Sequence, residues 1–147
     1  MKSIRLRHSF AAFIVFGFLA GCSSISPFSQ KAYEQATTLK VEALATMDKA
    51  TNEYSSQKQA IDNLNMNVEK AYEYAKGRPN NEISTHQWED MKDPSRNLLG
   101  GFLKRWESSK SLSVEFIEGA KVNVSDGFDQ IIGLESGKEK PTSGQKQ

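Results

Sequence analysis

The stretch SQKAYEQATTLKVEALATMDKATNEYSSQKQAIDNLNMNVEKAYEYAK, residues 29–76, decides the fold of this 147-residue chain. Apolar side chains recur in it at steps of three or four residues, and it contains no Gly and no Pro. This period is typical of an amphipathic α-helix rather than a strand, and the many Ala, Lys, Glu and Gln residues favour a helix as well. We therefore predict one long helix from about Ser29 to Lys76. Its apolar stripe comprises Phe28, Ala32, Ala36, Leu39, Ala43, Met47, Ala50, Tyr54, Ile61, Leu64, Val68, Ala71 and Ala75, with Gln57 as its one polar member.

This stripe requires a partner, because a long helix with one apolar face is not stable alone in water. The stripe is weakest between Asn52 and Gln59, so continuity of the helix there stays open. The sequence Gly77-Arg78-Pro79-Asn80-Asn81 ends the helix, since Gly suits a C-terminal cap and Pro does not continue a helix. The part of the chain that follows this turn is then expected to pack along the stripe and bury it.

Three shorter helices are predicted after the turn. The first runs from Thr85 to Met91, the second from Ser95 to Ser108, and the last is capped by Ser111 or Ser113 and ends near residues 133–137. The predicted fold is all-α: a long N-terminal helix packed against these return helices as an antiparallel hairpin or bundle. One helical domain spans residues 29–137, the turn at 77–81 lies far from its N-terminal end, and residues 138–147 form a disordered tail.

The N-terminal segment has the pattern of a secretory signal. Residues 1–9 contain Lys2, Arg5 and Arg7 and no acidic residue. Residues 10–20 are uncharged and largely apolar, which is too short a run for a transmembrane helix of about 20 residues. Small residues then precede Cys22, the single cysteine of the chain. A basic start, a short apolar run and small residues before a cut are typical of secretion signals.

The sequence Leu19-Ala20-Gly21-Cys22 resembles the lipobox of bacterial lipoprotein signal peptides. The resemblance covers only the first 22 to 24 residues. It implies cleavage of residues 1–21, acylation of Cys22 with palmitate-type chains, and a tether over residues 22–28. Ser23, in place of the Asp that retains lipoproteins in the inner membrane, implies the outer membrane, with the body in the periplasm. Two or more acyl chains anchor a protein stably, so the lipid bilayer is the first implied partner.

The remaining composition is that of an ordinary protein surface. Residues 1–21 hold three of the 19 basic residues and none of the 18 acidic ones, which leaves the mature chain with a net charge of −2. This balance argues against nucleic acid and against binding through anionic headgroups. The lone cysteine excludes a disulfide framework within the chain.

Few residues suggest chemistry. His86 is the one histidine of the mature chain, and it precedes Glu89 and Asp90 on a predicted helix. His86 and Asp90 are weak metal-ligand candidates, because two or three ligands from one helix form an open site; a solvated helix face is the favoured interpretation. No phosphate-binding or dinucleotide-binding motif occurs. We therefore predict no catalytic residue, no cofactor, no bound metal and no small-molecule substrate.

The bulkiest apolar group after the turn has two interpretations. The side chains of Leu99, Phe102, Leu103 and Trp106 share one helix face. They form either the core against the alanine-rich stripe, which is favoured because large and small residues fill space well, or a partner-docking or membrane-surface face.

The prediction for function is a small, non-catalytic interaction or scaffolding lipoprotein of the cell envelope, which binds an envelope protein or itself. Three alternatives stay open. They are a self-assembling coiled-coil lipoprotein, a surface lipoprotein of phage defence or conjugation exclusion, and a metal-binding or enzymatic accessory around His86.

Overall fold

The computed structural model describes residues 25–138, and within that range the chain is helical and has no β-strand. The prediction of an all-α fold is confirmed. The described residues form helices α1 (Gln30–Met47), a 3-10 helix (Asp48–Thr51), α2 (Tyr54–Lys76), α3 (Glu82–Lys92), α4 (Leu99–Ser109) and α5 (Val114–Gly137). The predicted signal peptide, the lipidation site Cys22 and residues 139–147 of the predicted tail lie outside the described residues. None of the helices within 25–138 is both long enough and apolar enough to cross a membrane.

The helices form a ring of four antiparallel arms, in which α3 and α4 together make the third arm. The start of α1 lies beside the end of α2, where Ser29 Oγ and Tyr74 OH are 2.9 Å apart. Helix α5 runs back along α1, and Lys40 Nζ lies 2.6 Å from Asp129 Oδ2 between them. Each arm thus packs against two neighbours around a shared apolar core.

Each end of the bundle takes its name from one residue. The Asn81 end comprises Ile25, the end of α2, the start of α3 and the end of α5. The Asn52 end comprises the connection between α1 and α2, the end of α4 and the start of α5.

The single helix predicted from Ser29 to Lys76, whose continuity between Asn52 and Gln59 stayed open, is divided into two helices. Backbone ψ angles of 165° at Asn52 and 131° at Glu53 are extended and end the helical path, so that α2 returns beside α1. The break lies in the segment where the apolar stripe is weakest. Local sequence alone does not decide it, because the backbone groups freed by the break need partners from elsewhere in the chain.

Those partners come from the connection between α4 and α5. The amide of Leu112 donates to the carbonyl of Ala50 at 2.8 Å, and the amide of Tyr54 donates to the carbonyl of Lys110 at 2.7 Å. These bonds replace helical bonds that a continuous helix would have made. The connection between α4 and α5 therefore stabilises the break between α1 and α2.

The predicted apolar stripe is nevertheless the face that packs inward. Its members are buried except Phe28, Tyr54 and Gln57, which are half-buried. The buried members are Ala32, Ala36, Leu39, Ala43, Met47, Ala50, Ile61, Leu64, Val68, Ala71 and Ala75. The alanines allow the arms to approach closely, while larger side chains from the other arms fill the centre. One copy of the chain covers the stripe, so a coiled-coil partner is not needed for its burial.

The position predicted for the turn at 77–81 needs correction as well. The turn lies beside the N-terminal segment, because the amide of Ser26 donates to the carbonyl of Asn80 at 2.7 Å. Lys138, predicted as the first residue of a disordered tail, has a buried side chain at the same end. The return of α2 along α1 causes both differences, since it brings the turn back to where the described chain begins.

The boundaries of the return helices also differ from the prediction. Helix α3 begins at Glu82, three residues before the predicted Thr85. Helix α4 begins at Leu99 rather than Ser95, because the carboxylate of Asp93 accepts bonds from both the amide and the hydroxyl of Ser95 and holds a non-helical turn. Of the two residues predicted to cap α5, Ser113 does so by accepting a bond from the amide of Phe116.

Candidate functional site

A groove between α4 and α5 forms a surface depression with a volume of about 430 Å³. We call it the α4–α5 groove. Its lining residues are Asn97, Leu98, Gly101, Phe102, Arg105, Glu115, Phe116, Gly119, Ala120 and Asn123. Gly119 on α5 leaves part of this space open, since no heavy atom would lie within 4 Å of a Cβ at this residue.

Aromatic stacking shapes one wall of the groove. The rings of Phe102 and Phe116 are stacked, with centroids 6.2 Å apart and planes inclined by 12°. Phe102 is buried, whereas Phe116 is 37% exposed. The guanidinium carbon of Arg105 lies 4.7 Å from the centroid of the Phe116 ring, within the range of a cation–π interaction. The wall therefore presents an aromatic face with a positive charge at its edge.

Two glycines on α4 fix where this helix lies. A Cβ at Gly100 would overlap the carbonyl group of Lys92, and a Cβ at Gly101 would overlap the carbonyl oxygen of Arg96. Only glycine therefore permits α4 to pack this closely against the connection from α3. On the same helix Phe102 is buried, and Gly101 and Phe102 line the groove.

The structure places the predicted interaction or core residues in the core. Leu99, Phe102, Leu103 and Trp106 are each 5% exposed or less, and they belong to the same buried cluster as the stripe of α1 and α2. The exposed aromatic group of this region is Phe116 on α5, which the sequence analysis did not single out. Phe116 lies one residue before the buried Ile117 and is therefore not on the buried face of α5. Its role in the wall of the groove is visible only from the packing of α4 against α5.

The weak metal candidates His86 and Asp90 have other partners. The side chain of His86 is 75% exposed, and its Nδ1 lies 2.8 Å from Glu89 Oε2. Asp90 forms an ion pair with Arg96 at 3.0 Å. The carboxyl of Glu89 takes part in hydrogen bonds with His86 and with Tyr72. These bonds, the one with His86 most strongly, hold the pKa of the Glu89 carboxyl below its usual value. No group of three or more His, Cys, Asp or Glu residues suited to a metal ion occurs in the part of the chain that the structure describes.

A buried charged cluster occupies the Asn81 end, and the sequence analysis missed it. Glu135 Oε1 accepts bonds from Lys138 at 2.6 Å and from Ser84 at 2.8 Å, while its Oε2 accepts a bond from Arg78 at 2.9 Å. Lys138 also donates to the side-chain oxygen of Asn81 at 2.6 Å. The side chains of Glu135 and Lys138 are each 1% exposed.

The electrostatics of this cluster follow from its hydrogen bonds. Burial alone would raise the pKa of the Glu135 carboxyl, but the bonds from Lys138, Ser84 and Arg78 outweigh burial and lower the pKa overall. Glu135 is therefore ionised at neutral pH in the folded protein. The sequence does carry a signal for its burial, because Glu135 continues the α5 stripe of Val124, Phe128 and Ile131 at the next helical step.

The comparisons give no relative from which a role could be transferred. Neither protein-family models, nor curated proteins, nor solved structures give a match to this chain. Conclusions about function therefore depend on the residues and on the geometry described above.

Proposed function

We propose that this chain is a small envelope lipoprotein, anchored through acylated Cys22, whose helical bundle binds another envelope protein without catalysing a reaction. Support for the anchor comes from the lipobox-like sequence 19–22 and the basic and apolar segments before it. Support for the bundle as the working part comes from the α4–α5 groove.

The exposed aromatic wall of the groove carries the binding part of this proposal. Phe116 remains 37% exposed although Phe102 and Arg105 pack against it. Aromatic and Arg side chains are enriched at protein interfaces, where a desolvated centre is surrounded by polar groups. Here the polar surroundings are Asn97, Glu115 and Asn123. A segment of another protein with an apolar side chain and polar flanks fits this surface.

The anchor is tested by substitution of Cys22 and by mass spectrometry. Cys22→Ala should abolish acylation and move the protein from the membrane fraction to the soluble envelope fraction. The mass of the wild-type protein should correspond to a chain that begins at Cys22 and carries acyl groups. An intact, unmodified N terminus in membrane-derived protein would refute the anchor.

The groove is tested by site-specific photocrosslinking in living cells. A photoreactive amino acid at Asn123, on the groove, should give a discrete adduct, whereas the same group at the exposed Val41 of α1 should not. Gly119→Leu should abolish the adduct, because the new side chain occupies the groove. Gly133→Leu is the matched control, since that glycine also faces open space but does not line the groove. Equal adducts in all variants would exclude the groove as a binding site.

A further inference from the structure

The Asn81 end carries exposed apolar side chains next to the point where the described chain begins. Ile83 is 61% exposed and Ile25 is 38% exposed. Together with Leu134 they line a shallow cavity of about 160 Å³, which Asn80 and Glu82 also border. Two large apolar side chains at one end of the bundle form a small apolar surface that no part of residues 25–138 covers.

The N-terminal segment is fixed to this same end. Ser26 is buried and donates its amide to Asn80, and the carbonyl of Pro27 accepts a bond from Arg78. Only three peptide units separate Cys22 from Ile25, so the α-carbons of these residues lie at most about 11 Å apart even in extended chain. Lipid on Cys22 would therefore hold a bilayer close to the Asn81 end.

Two positively charged groups at this end are turned inward. Arg78 and Lys138 both pair with the buried Glu135, and their side chains are 11% and 1% exposed. Exposed charges of both signs lie at the same end, since Lys76 pairs with Glu73 near the end of α2 and Glu82 precedes Ile83. Contact with a bilayer here would depend on the apolar side chains.

We propose that the Asn81 end rests on the lipid bilayer, with Ile25 and Ile83 at the boundary between headgroups and acyl chains. This inference rests on the proposed acylation of Cys22. Two isoleucines are too few to bind a membrane alone, but the anchor keeps them at the surface continuously. Phe116 lies 18 residues from Leu134 along α5, so the part of the α4–α5 groove at Phe116 is about 27 Å along the helix axis from the Asn81 end.

Quenching of tryptophan by brominated lipid tests this orientation. The full-length gene is expressed, and the processed protein is purified from membranes and reconstituted into phosphatidylcholine vesicles with or without bromine on the acyl chains. Ile83→Trp places a reporter at the Asn81 end, and Val114→Trp places one at the Asn52 end, where Val114 is 58% exposed. The parent protein gives the background from Trp88 and Trp106, and circular dichroism shows whether each variant folds.

The added emission of Ile83→Trp should be strongly quenched in brominated vesicles, while that of Val114→Trp should be unchanged. A blue-shifted but unquenched Ile83→Trp would indicate cover by a second copy or another protein and would overturn the proposal. Equal quenching of both reporters, or of neither, would also overturn it. Mass spectrometry of the same preparation separates the two proposals, because acylated Cys22 with unquenched Ile83→Trp refutes the orientation alone. Unmodified Cys22 refutes the anchor and the orientation together.

Discussion

The indole Nε1 of Trp106 donates a 3.0 Å hydrogen bond to the carbonyl oxygen of Asn52, the residue at which the first two arms of the bundle separate. Trp106 is fully buried, and its ring also meets Tyr54 edge to face with centroids 5.6 Å apart. One side chain of α4 thus contacts both sides of the break between α1 and α2. The third arm fixes the path of the first two.

Trp106→Phe should therefore destabilise the bundle by more than the loss of ring size explains. The carbonyl of Asn52 loses its donor, which costs about 1 kcal/mol or more. Trp88→Phe is the matched control, because Trp88 is also buried but does not contact Asn52. Urea unfolding followed by circular dichroism measures both variants. A smaller loss for Trp106→Phe than for Trp88→Phe would contradict the role of this hydrogen bond.

Leu64→Asp should unfold or severely weaken the bundle. Leu64 is 3% exposed in the core of α2, and an unpaired carboxylate there costs about 3 kcal/mol or more in addition to the lost apolar contact. Met66, two residues along the same helix, is 53% exposed, so Met66→Asp should change the free energy of unfolding by about 0.5 kcal/mol or less. Thermal melting of both variants decides the matter, and similar curves would show that the stripe does not face inward.

Gly101→Ala should destabilise the protein, whereas Gly133→Ala should stabilise it. The new methyl group at residue 101 overlaps the carbonyl oxygen of Arg96, and overpacking of this kind costs about 1–3 kcal/mol. At residue 133 of α5 the methyl group meets open space, and alanine gains about 0.5–1 kcal/mol over glycine in a helix. Chemical denaturation measures the free energy of unfolding of each variant and so gives the sign of each change. Equal effects would show that α4 does not pack closely against the connection from α3.

Glu135 should make stability depend on pH in the acid range. Its pKa is lowered below the ordinary value of 4.5, so the folded state binds this proton less readily than the unfolded state does. The resulting stability is complete above the unfolded pKa and is lost as pH falls through the folded pKa, which lies below 4.5. Urea midpoints measured across this range should fall more steeply for the wild type than for Glu135→Gln.

The same variant also tests the buried charges. Glu135→Gln leaves Lys138 and Arg78 without their carboxylate, which should cost about 3 kcal/mol at neutral pH. Adding Lys138→Met removes one buried positive charge and should recover part of the loss. A double variant less stable than Glu135→Gln alone would show that Lys138 stabilises the end of α5 without the carboxylate.

His86→Ala should leave the free energy of unfolding within about 0.5 kcal/mol of the wild type. The side chain is 75% exposed, and its contact is with Glu89 on the same helix. Calorimetric titration with zinc should give the same result for both proteins. A binding signal that disappears in His86→Ala would establish a metal site on α3 and contradict the interpretation of His86 as a solvated surface residue.

Periodicity in the sequence was sufficient to identify the buried faces. The stripe through Ala36, Leu39 and Ala43 in α1 and through Ile61 and Leu64 in α2 is buried as its spacing predicts. The reason is local, because helical spacing places these side chains on one face whatever the rest of the chain does.

Continuity of the first helix did not follow from the sequence in the same way. The break at Asn52 depends on a hydrogen bond from Trp106, which lies 54 residues further along the chain. The α4–α5 groove is likewise lined by residues of different helices, among them Gly101 and Gly119. Such contacts are set by the packing of whole arms, and no local pattern encodes them. Glu135 differs from these residues, because a carboxylate at an apolar position of the α5 stripe can be recognised from the sequence alone.

Asn80 and Asn81 bind the two ends of the described chain. The carbonyl oxygen of Asn80 accepts a hydrogen bond from the amide of Ser26, and the side-chain oxygen of Asn81 accepts one from the ammonium group of Lys138. Because both ends of the described chain lie together, the position of a label decides which end of the bundle it reports on. A fluorescent protein fused after residue 138 would report on the surroundings of Ile25, and its bulk would press against whatever lies there. A small label on the exposed side chain of Val114, at the start of α5, would instead sample the opposite end of the bundle.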